Sequence, residues 1–411
     1  MKIDASTLEE TNVISLRTRM ESPFEKSDLV VFSHLRWDFV FQRPQHLMSR
    51  FARYRRVYFF EEPIYGQTAV PRLHIKEGSG GVRVVVPHLP GSWNSPDQDK
   101  MLTRLVDELV EDESLRNYTF WYYTPMSLPF SRHLNPIAVI YDCMDELSHF
   151  KGAPPEMLQN EQDLFRLADV VFTGGHSLYE AKRHQHHNIY PFPSSIDFEH
   201  FSKARGRVDE PADQKSIPHP RLGFFGVIDE RMDLSMIEGI AKLRPDWHLV
   251  MIGPVVKIDP ASLPHLPNIH YLGKKEYAEL PRYIAGWDVA LMPFALNEST
   301  RFISPTKTPE YLAAGRPVVS TAIRDVVCPY GREKLVSIAS SPEEFVEMSE
   351  VAMRECHPRS EWMKRVDEFL SDKSWESTWR EMAAHESTIY KRRENSRPVM
   401  RWNDETLVEN V

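Results

Sequence analysis

Short, nearly continuous apolar runs recur along this chain, separated by stretches long enough for helices. A strand that is apolar at every position is buried on both faces, and such strands belong to parallel sheets covered by helices. In the first half the runs are Leu29–His34, Val57–Glu61, Val82–Pro87, Thr119–Tyr123, Ala138–Cys143, Val170–Thr173 and Ile189–Phe192. Ser202–Pro220 interrupts the series with charge, proline and no periodicity, and it reads as a linker. A second series follows: Arg221–Val227, His248–Gly253, Ile269–Gly273, Val289–Phe294, Pro317–Thr321 and Leu335–Ile338. The segments between runs suit right-handed crossovers. The expected fold is α/β, two Rossmann-like domains (28–201 and 221–370) facing each other across a cleft.

Outside these domains lie a polar N-terminal tail (1–27) and a C-terminal stretch (371–411). Ser341–Tyr390 has helical pattern, with Trp375 and Trp379 four apart on one face, and Lys391–Val411 reads as a loose tail. A chain of 411 residues, 41% hydrophobic and 27% charged, has material for two cores. Its net charge of −9 argues against nucleic acid as the main partner. Cys143, Cys328 and Cys356 form no metal-ligand spacing, and their number fits a reducing compartment. The N-terminus lacks a signal-type apolar core, and no apolar run approaches the ~18 residues of a membrane span. A cytoplasmic protein is expected, with any membrane contact peripheral.

The densest chemistry lies in Asn297–Thr321, NESTRFISPTKTPEYLAAGRPVVST. Ser304-Pro305 and Thr308-Pro309 are both helix-start pairs, Gly315 suits a helix stop, and Val318-Val319-Ser320 returns to strand. A helix start offers free N–H groups to an anion, and Lys307 adds a full charge there. Glu310, one turn on, is placed to accept hydrogen bonds from sugar hydroxyls. The plain alternative is a capped helix with a surface ion pair.

PTKTPEYLAAGRPVVST resembles the donor-binding segment of GT-B glycosyltransferases, specifically the large family four, and the likeness runs from about Asp28 to Trp379. The resemblance implies that Glu310 binds the donor ribose and that the Ser304–Thr308 stretch, with Thr306 and Lys307, binds the diphosphate. It implies a phosphate role for Arg231, in the loop after the first strand of the second domain. It places the nucleobase near Gly273-Lys274. It also implies a final helix crossing back to the first domain. Two positions depart from the family. Phe302 stands where many members have a sugar-binding glutamate, with Glu298 a distant substitute, and Met236 stands where a second cation is common. The alternative for Arg231 is an ion pair with Asp229 or Asp233.

Ligands of open α/β sheets sit at the carboxyl ends of strands. Asp142 and Asp145 end one first-domain strand and are candidate bases for an acceptor hydroxyl, and relatives with a histidine in this region add His149. Turn or helix capping is the alternative for both aspartates. The loop after the first strand resembles an acceptor-side loop: His34 lies in it, Trp37 suits stacking on a sugar, and Arg43 suits an anion. A structural role is the alternative there. Gly174-Gly175 allows close backbone approach, though a tight turn accounts for it as well. The histidines at 184, 186 and 187 lack carboxylates at ligand spacing and read as solvated surface. With no DxD motif, metal-independent chemistry is expected. The function expected is transfer of a sugar from a nucleotide diphosphate sugar, the co-substrate, to a saccharide or lipid-linked hydroxyl in polysaccharide or cell-envelope synthesis. A GT-B epimerase or hydrolase, and a non-catalytic sugar-nucleotide-binding scaffold, remain as alternatives.

Overall fold

The computed structural model describes residues 27–92, 96–356 and 360–396. The expected N-terminal tail lies outside the described residues apart from Ser27, as does the C-terminal tail beyond Ser396.

The first sheet contains β1 (Asp28–Phe32), β2 (Val57–Phe60), β3 (Ile64–Tyr65), β4 (Arg72–Glu77), β5 (Arg83–Leu89), β6 (Tyr118–Tyr122), β7 (Ala138–Cys143), β8 (Val170–Thr173) and β9 (Ile189–Pro191). Their order is β3-β5-β2-β1-β6-β7-β8-β9, with β4 antiparallel to β5. Every apolar run of the first half became a strand. β3 and β4 were not expected, because β3 is two residues long and β4 is an almost wholly exposed edge.

The second sheet is parallel, in the order β12-β11-β10-β13-β14-β15. It contains β10 (Arg221–Phe225), β11 (His248–Ile252), β12 (Ile269–Gly273), β13 (Val289–Met292), β14 (Val318–Ser320) and β15 (Val336–Ile338). Each sheet has apolar side chains on both faces, and helices cover both. The linker region is less open than its composition suggested. It forms short turns at Lys203–Arg205 and Ala212–Lys215, and buried Gln214 accepts a 2.9 Å hydrogen bond from Trp287 Nε1.

Two helices, Pro342–Glu355 and Glu361–Leu370, complete the second half. The last helix, Trp375–Ser396, then packs against the first sheet. Trp375 stacks on His46, and Trp379 meets Phe51 edge-on. The buried Arg55 guanidinium donates to both Glu386 oxygens at 2.7 and 2.8 Å. Burying each of these indoles contributes on the order of 4 kcal/mol before entropy is counted. The helix runs past Lys391, where a loose tail was expected, and Arg393 reaches Asp169 at 3.0 Å. Among the described residues no helix is long and apolar enough to cross a membrane.

Candidate functional site

The carboxyl ends of both sheets face one another, and the Asn297–Thr321 segment lies in the seam between them. Its helix is Lys307–Ala313, with Thr306 as N-cap. The helix thus begins between the two expected start pairs, and neither Ser304 nor Thr308 caps it. Thr308 is fully buried, with its hydroxyl against Met292 Sδ at 3.4 Å. Tyr311 pins the helix to the sheet: its hydroxyl accepts from Phe225 N–H at 2.9 Å, at the end of β10. That anchor aims Lys307 across the same strand end, over the rings of Phe224 and Phe294.

A cavity of about 100 Å³ opens here. Arg231, Lys307, Ser304 and Thr306 from the second half line it, and Asp145, Arg43 and Gly174 line it from the first. Arg231 is gripped by Asp229, with Nη2 2.7 Å from Oδ2, and lies over the Phe150 ring. The ion-pair reading of Arg231 is therefore correct, and it coexists with a place on the cavity wall. Met236 is buried in the core and does not line the cavity, whereas Lys307 does.

Burial pushes the Asp145 carboxyl up to about 6, while Arg231, Arg43 and Lys307 pull it back down. Burial likewise lowers Lys307 to about 8, reinforced by the neighbouring Arg231 charge. Glu310 is raised to about 7 by burial, against the pull of Lys307. Its Oε2 is buried without a hydrogen-bond partner, and Glu310 is not among the residues that line the cavity. Asp197 is close enough to push the Glu310 carboxyl further up, and Glu310 in turn raises the Tyr277 hydroxyl. Tyr277 itself is wedged among Phe41, His46 and His200.

Several first-domain expectations need correction. Asp142 is fully buried and bound by both arms of Arg43, Nε to Oδ2 at 3.0 Å and Nη2 to Oδ1 at 2.9 Å. Arg43 also donates to Phe192 O at 2.7 Å. The pair is structural: Asp142 is not placed as a base, and three of the five Arg43 N–H groups are committed to Asp142 and Phe192. Trp37 offers no free face, because it is buried against Phe59 and its Nε1 donates to Ser79 Oγ. His34 is a neutral ring, lowered by burial to about 4. Lys274 donates to Asp38 O at 3.2 Å, away from the cavity. His149 sits at the seam, 5.8 Å from the Phe302 ring and 3.3 Å from Glu298 O. His186 is not solvated surface: its Nε2 donates to Ala168 O at 3.0 Å, and its Nδ1 accepts from the Asn188 N–H at 3.1 Å.

Sequence reasoning missed two features. Gly226 has φ +138°, and a Cβ there would overlap the Lys307 Cε. The signal was present, a glycine directly after the apolar run of β10, repeated at Gly253 after β11. The second feature is a cavity of about 700 Å³ at the carboxyl ends of β1, β2 and β6, walled by Glu61, Glu62, Thr124, Met126 and Phe130. The expected acceptor-side residues line none of it. Among the described residues no group of three metal-ligand side chains converges.

Residues 219–353 match the family described as glycosyl transferases group 1. TuaH of Bacillus subtilis (strain 168), described as a teichuronic acid biosynthesis glycosyltransferase, is 28% identical over 244 residues. That match covers 54% of this chain and spans 59% of TuaH's own length. Among solved structures, Anabaena HepE in complex with UDP-glucose superposes with a TM-score of 0.64 at 11% identity, over 88% of this chain and 99% of HepE. Sucrose-phosphate synthase of Thermosynechococcus elongatus superposes with a TM-score of 0.61 at 13% identity, over 89% of this chain and 100% of that one. The chain has the GT-B fold, and the part of its second half from residue 219 to 353 matches the glycosyl transferases group 1.

Proposed function

We propose that this chain is a glycosyltransferase. It moves a sugar from a nucleoside diphosphate sugar to a hydroxyl of a saccharide or lipid-linked acceptor, in polysaccharide or cell-envelope synthesis. One observation carries the reading: two cations of the second half, Arg231 and Lys307, converge on one small cavity opposite Asp145 of the first half. HepE, solved with UDP-glucose, and TuaH, of teichuronic acid biosynthesis, support the donor class and the pathway class.

In this reading the acceptor oxygen bonds to the anomeric carbon as the carbon–oxygen bond to the diphosphate breaks, and the electron pair leaves with the diphosphate. Lys307 and Arg231 stabilise that developing charge from fixed positions. The free oxygen of Glu310 accepts from a ribose hydroxyl. Asp145 takes the proton of the acceptor, and a carboxyl near 6 is well matched to that task at neutral pH. The acceptor approaches through the larger first-domain cavity. Cytoplasmic work at a membrane surface, with peripheral attachment only, belongs to the same reading.

The test is calorimetry against a panel of nucleoside diphosphates and their sugars, with and without divalent metal. One selective hit is expected, lost in Lys307→Ala and Glu310→Ala along with transfer. Wild-type affinity and rate in both variants would sink the assignment.

A further inference from the structure

Gly175 follows β8, and Asp325 follows β14, so each closes the carboxyl end of its own sheet. Asp325 is buried, and its Oδ1 accepts from the Ser177 N–H of the first half at 3.0 Å. Its Oδ2 is buried without a hydrogen-bond partner. A Cβ on Gly175 would collide with that Oδ2 and lie 2.8 Å from the Ser304 Cβ. The three nearest atoms to that position all belong to the second half, and the third of them is 3.4 Å away. Gly175 has extended backbone, so its missing side chain answers to no strained φ. Glycine is there because the other half comes so close. Beside it, Ser194 Oγ donates to Ser304 O at 2.7 Å. The Ser304–Lys307 loop is therefore held directly by the first half.

We propose that Asp325, with Gly175 and Ser177, is a positioning device for the transfer reaction. It fixes the separation of the two halves and so the placement of Lys307 against Asp145. It touches neither donor nor acceptor. A buried carboxylate with one hydrogen bond and an orphan oxygen is better solvated when the halves part, so the latch holds without locking. Reversible closure is what a transferase needs to load substrate, exclude water and release product. The proposal rests on the glycosyltransferase reading, but its geometric part is separable from it.

The test pairs Gly175→Ala with Asp325→Ala and Asp325→Asn. The atoms nearest the added methyl all belong to the opposite half, so Gly175→Ala is expected to fold and melt like wild type. Its nucleoside diphosphate affinity stays within about threefold, because Lys307 and Glu310 lie in the second half. Its kcat falls by at least about tenfold, as small misplacements of reacting groups do. Asp325→Ala behaves alike, and Asp325→Asn, which keeps the acceptor oxygen, is close to wild type. Small-angle scattering gives the second readout: the radius of gyration of Gly175→Ala with saturating UDP exceeds that of wild type. Unchanged kcat and unchanged scattering in Gly175→Ala would overturn the proposal, as would equal losses in kcat and nucleotide affinity. If the wild type turns over no donor, the glycosyltransferase reading fails, and scattering of the unliganded proteins still decides the latch.

Discussion

The Lys307 side chain passes directly over Gly226, its Nζ 2.6 Å from where a β-carbon at 226 would stand. Gly253 closes the same corner from the next strand, also with positive φ. Three chain segments thus share a space that only two glycines leave open. Gly226→Ala should push the ammonium off the cavity and strain a φ that L-residues avoid. The expected cost is roughly 1–3 kcal/mol of stability. Nucleoside diphosphate affinity should fall by more than about tenfold, since one charge-assisted contact is worth that much. Calorimetry alongside urea unfolding separates the two effects. Unaltered affinity in a folded variant would mean that Lys307 does not need this path.

Asp142 and Asp145 lie three residues apart and have opposite fates. Removing Asp142 strands a buried guanidinium, so Asp142→Ala should lose about 3–5 kcal/mol and express poorly. Asp145→Asn removes a charge that burial already disfavours, so its melting temperature should hold or rise. Transfer by Asp145→Asn should nonetheless drop by about 10²–10⁴-fold, the usual scale for a general base. Melting curves and initial rates of the two variants settle the roles. Full transfer activity in Asp145→Asn would leave the cavity without a base.

These two aspartates show where sequence reading reaches its limit. Both stand at the carboxyl end of an apolar run, so the strand and the cleft were legible. Which of them faces the cleft was not, because Arg43, ninety-nine positions away, decides it. The strands were readable because burial on both faces writes an uninterrupted apolar run. The edge strand Arg72–Glu77 left no such trace. Lys307 and Glu310 were readable through a local motif. Asp325, Ser177 and Ser194 act through contacts between the halves and leave no local pattern. Trp37 misled because an aromatic in a polar loop looks like a stacking platform until Phe59 is seen against it.

The crossing helix is tied down by a charge pair buried on both sides, Arg55 with Glu386. Tyr390 joins it, donating to Glu386 and lying 3.2 Å from Arg55 Nη1. Glu386→Ala removes the bidentate carboxylate from a buried guanidinium and should cost about 3–5 kcal/mol. Glu386→Gln keeps the shape and one acceptor and should cost less. A two-step denaturation curve in Glu386→Ala, with the first half melting earlier, is the expected signature. A cost below about 1 kcal/mol would place the anchoring of this helix in Trp375 and Trp379 alone.

Lys307 and Glu310 make the nucleotide site sensitive to pH on both sides. Burial holds Glu310 above the ordinary carboxyl value of 4.5, so the folded state prefers it protonated. Its contribution to stability is present at acid pH and is lost as pH rises through about 7. Burial holds Lys307 below the ordinary ammonium value of 10.5, so the folded state prefers it neutral. Its contribution is present at alkaline pH and is lost as pH falls through about 8. The free site is therefore least comfortable between those values, where both groups carry the charges that a ribose and a diphosphate require. A nucleoside diphosphate should raise the melting temperature most in that window, and less towards both about pH 6 and about pH 9. Glu310→Gln should flatten the acid side of that profile, leaving the alkaline side to Lys307. Glu310→Gln/Lys307→Met should be more stable than wild type at neutral pH and should show no nucleotide-induced shift. A shift of constant size across the whole range, in wild type and Glu310→Gln alike, would remove both groups from nucleotide recognition.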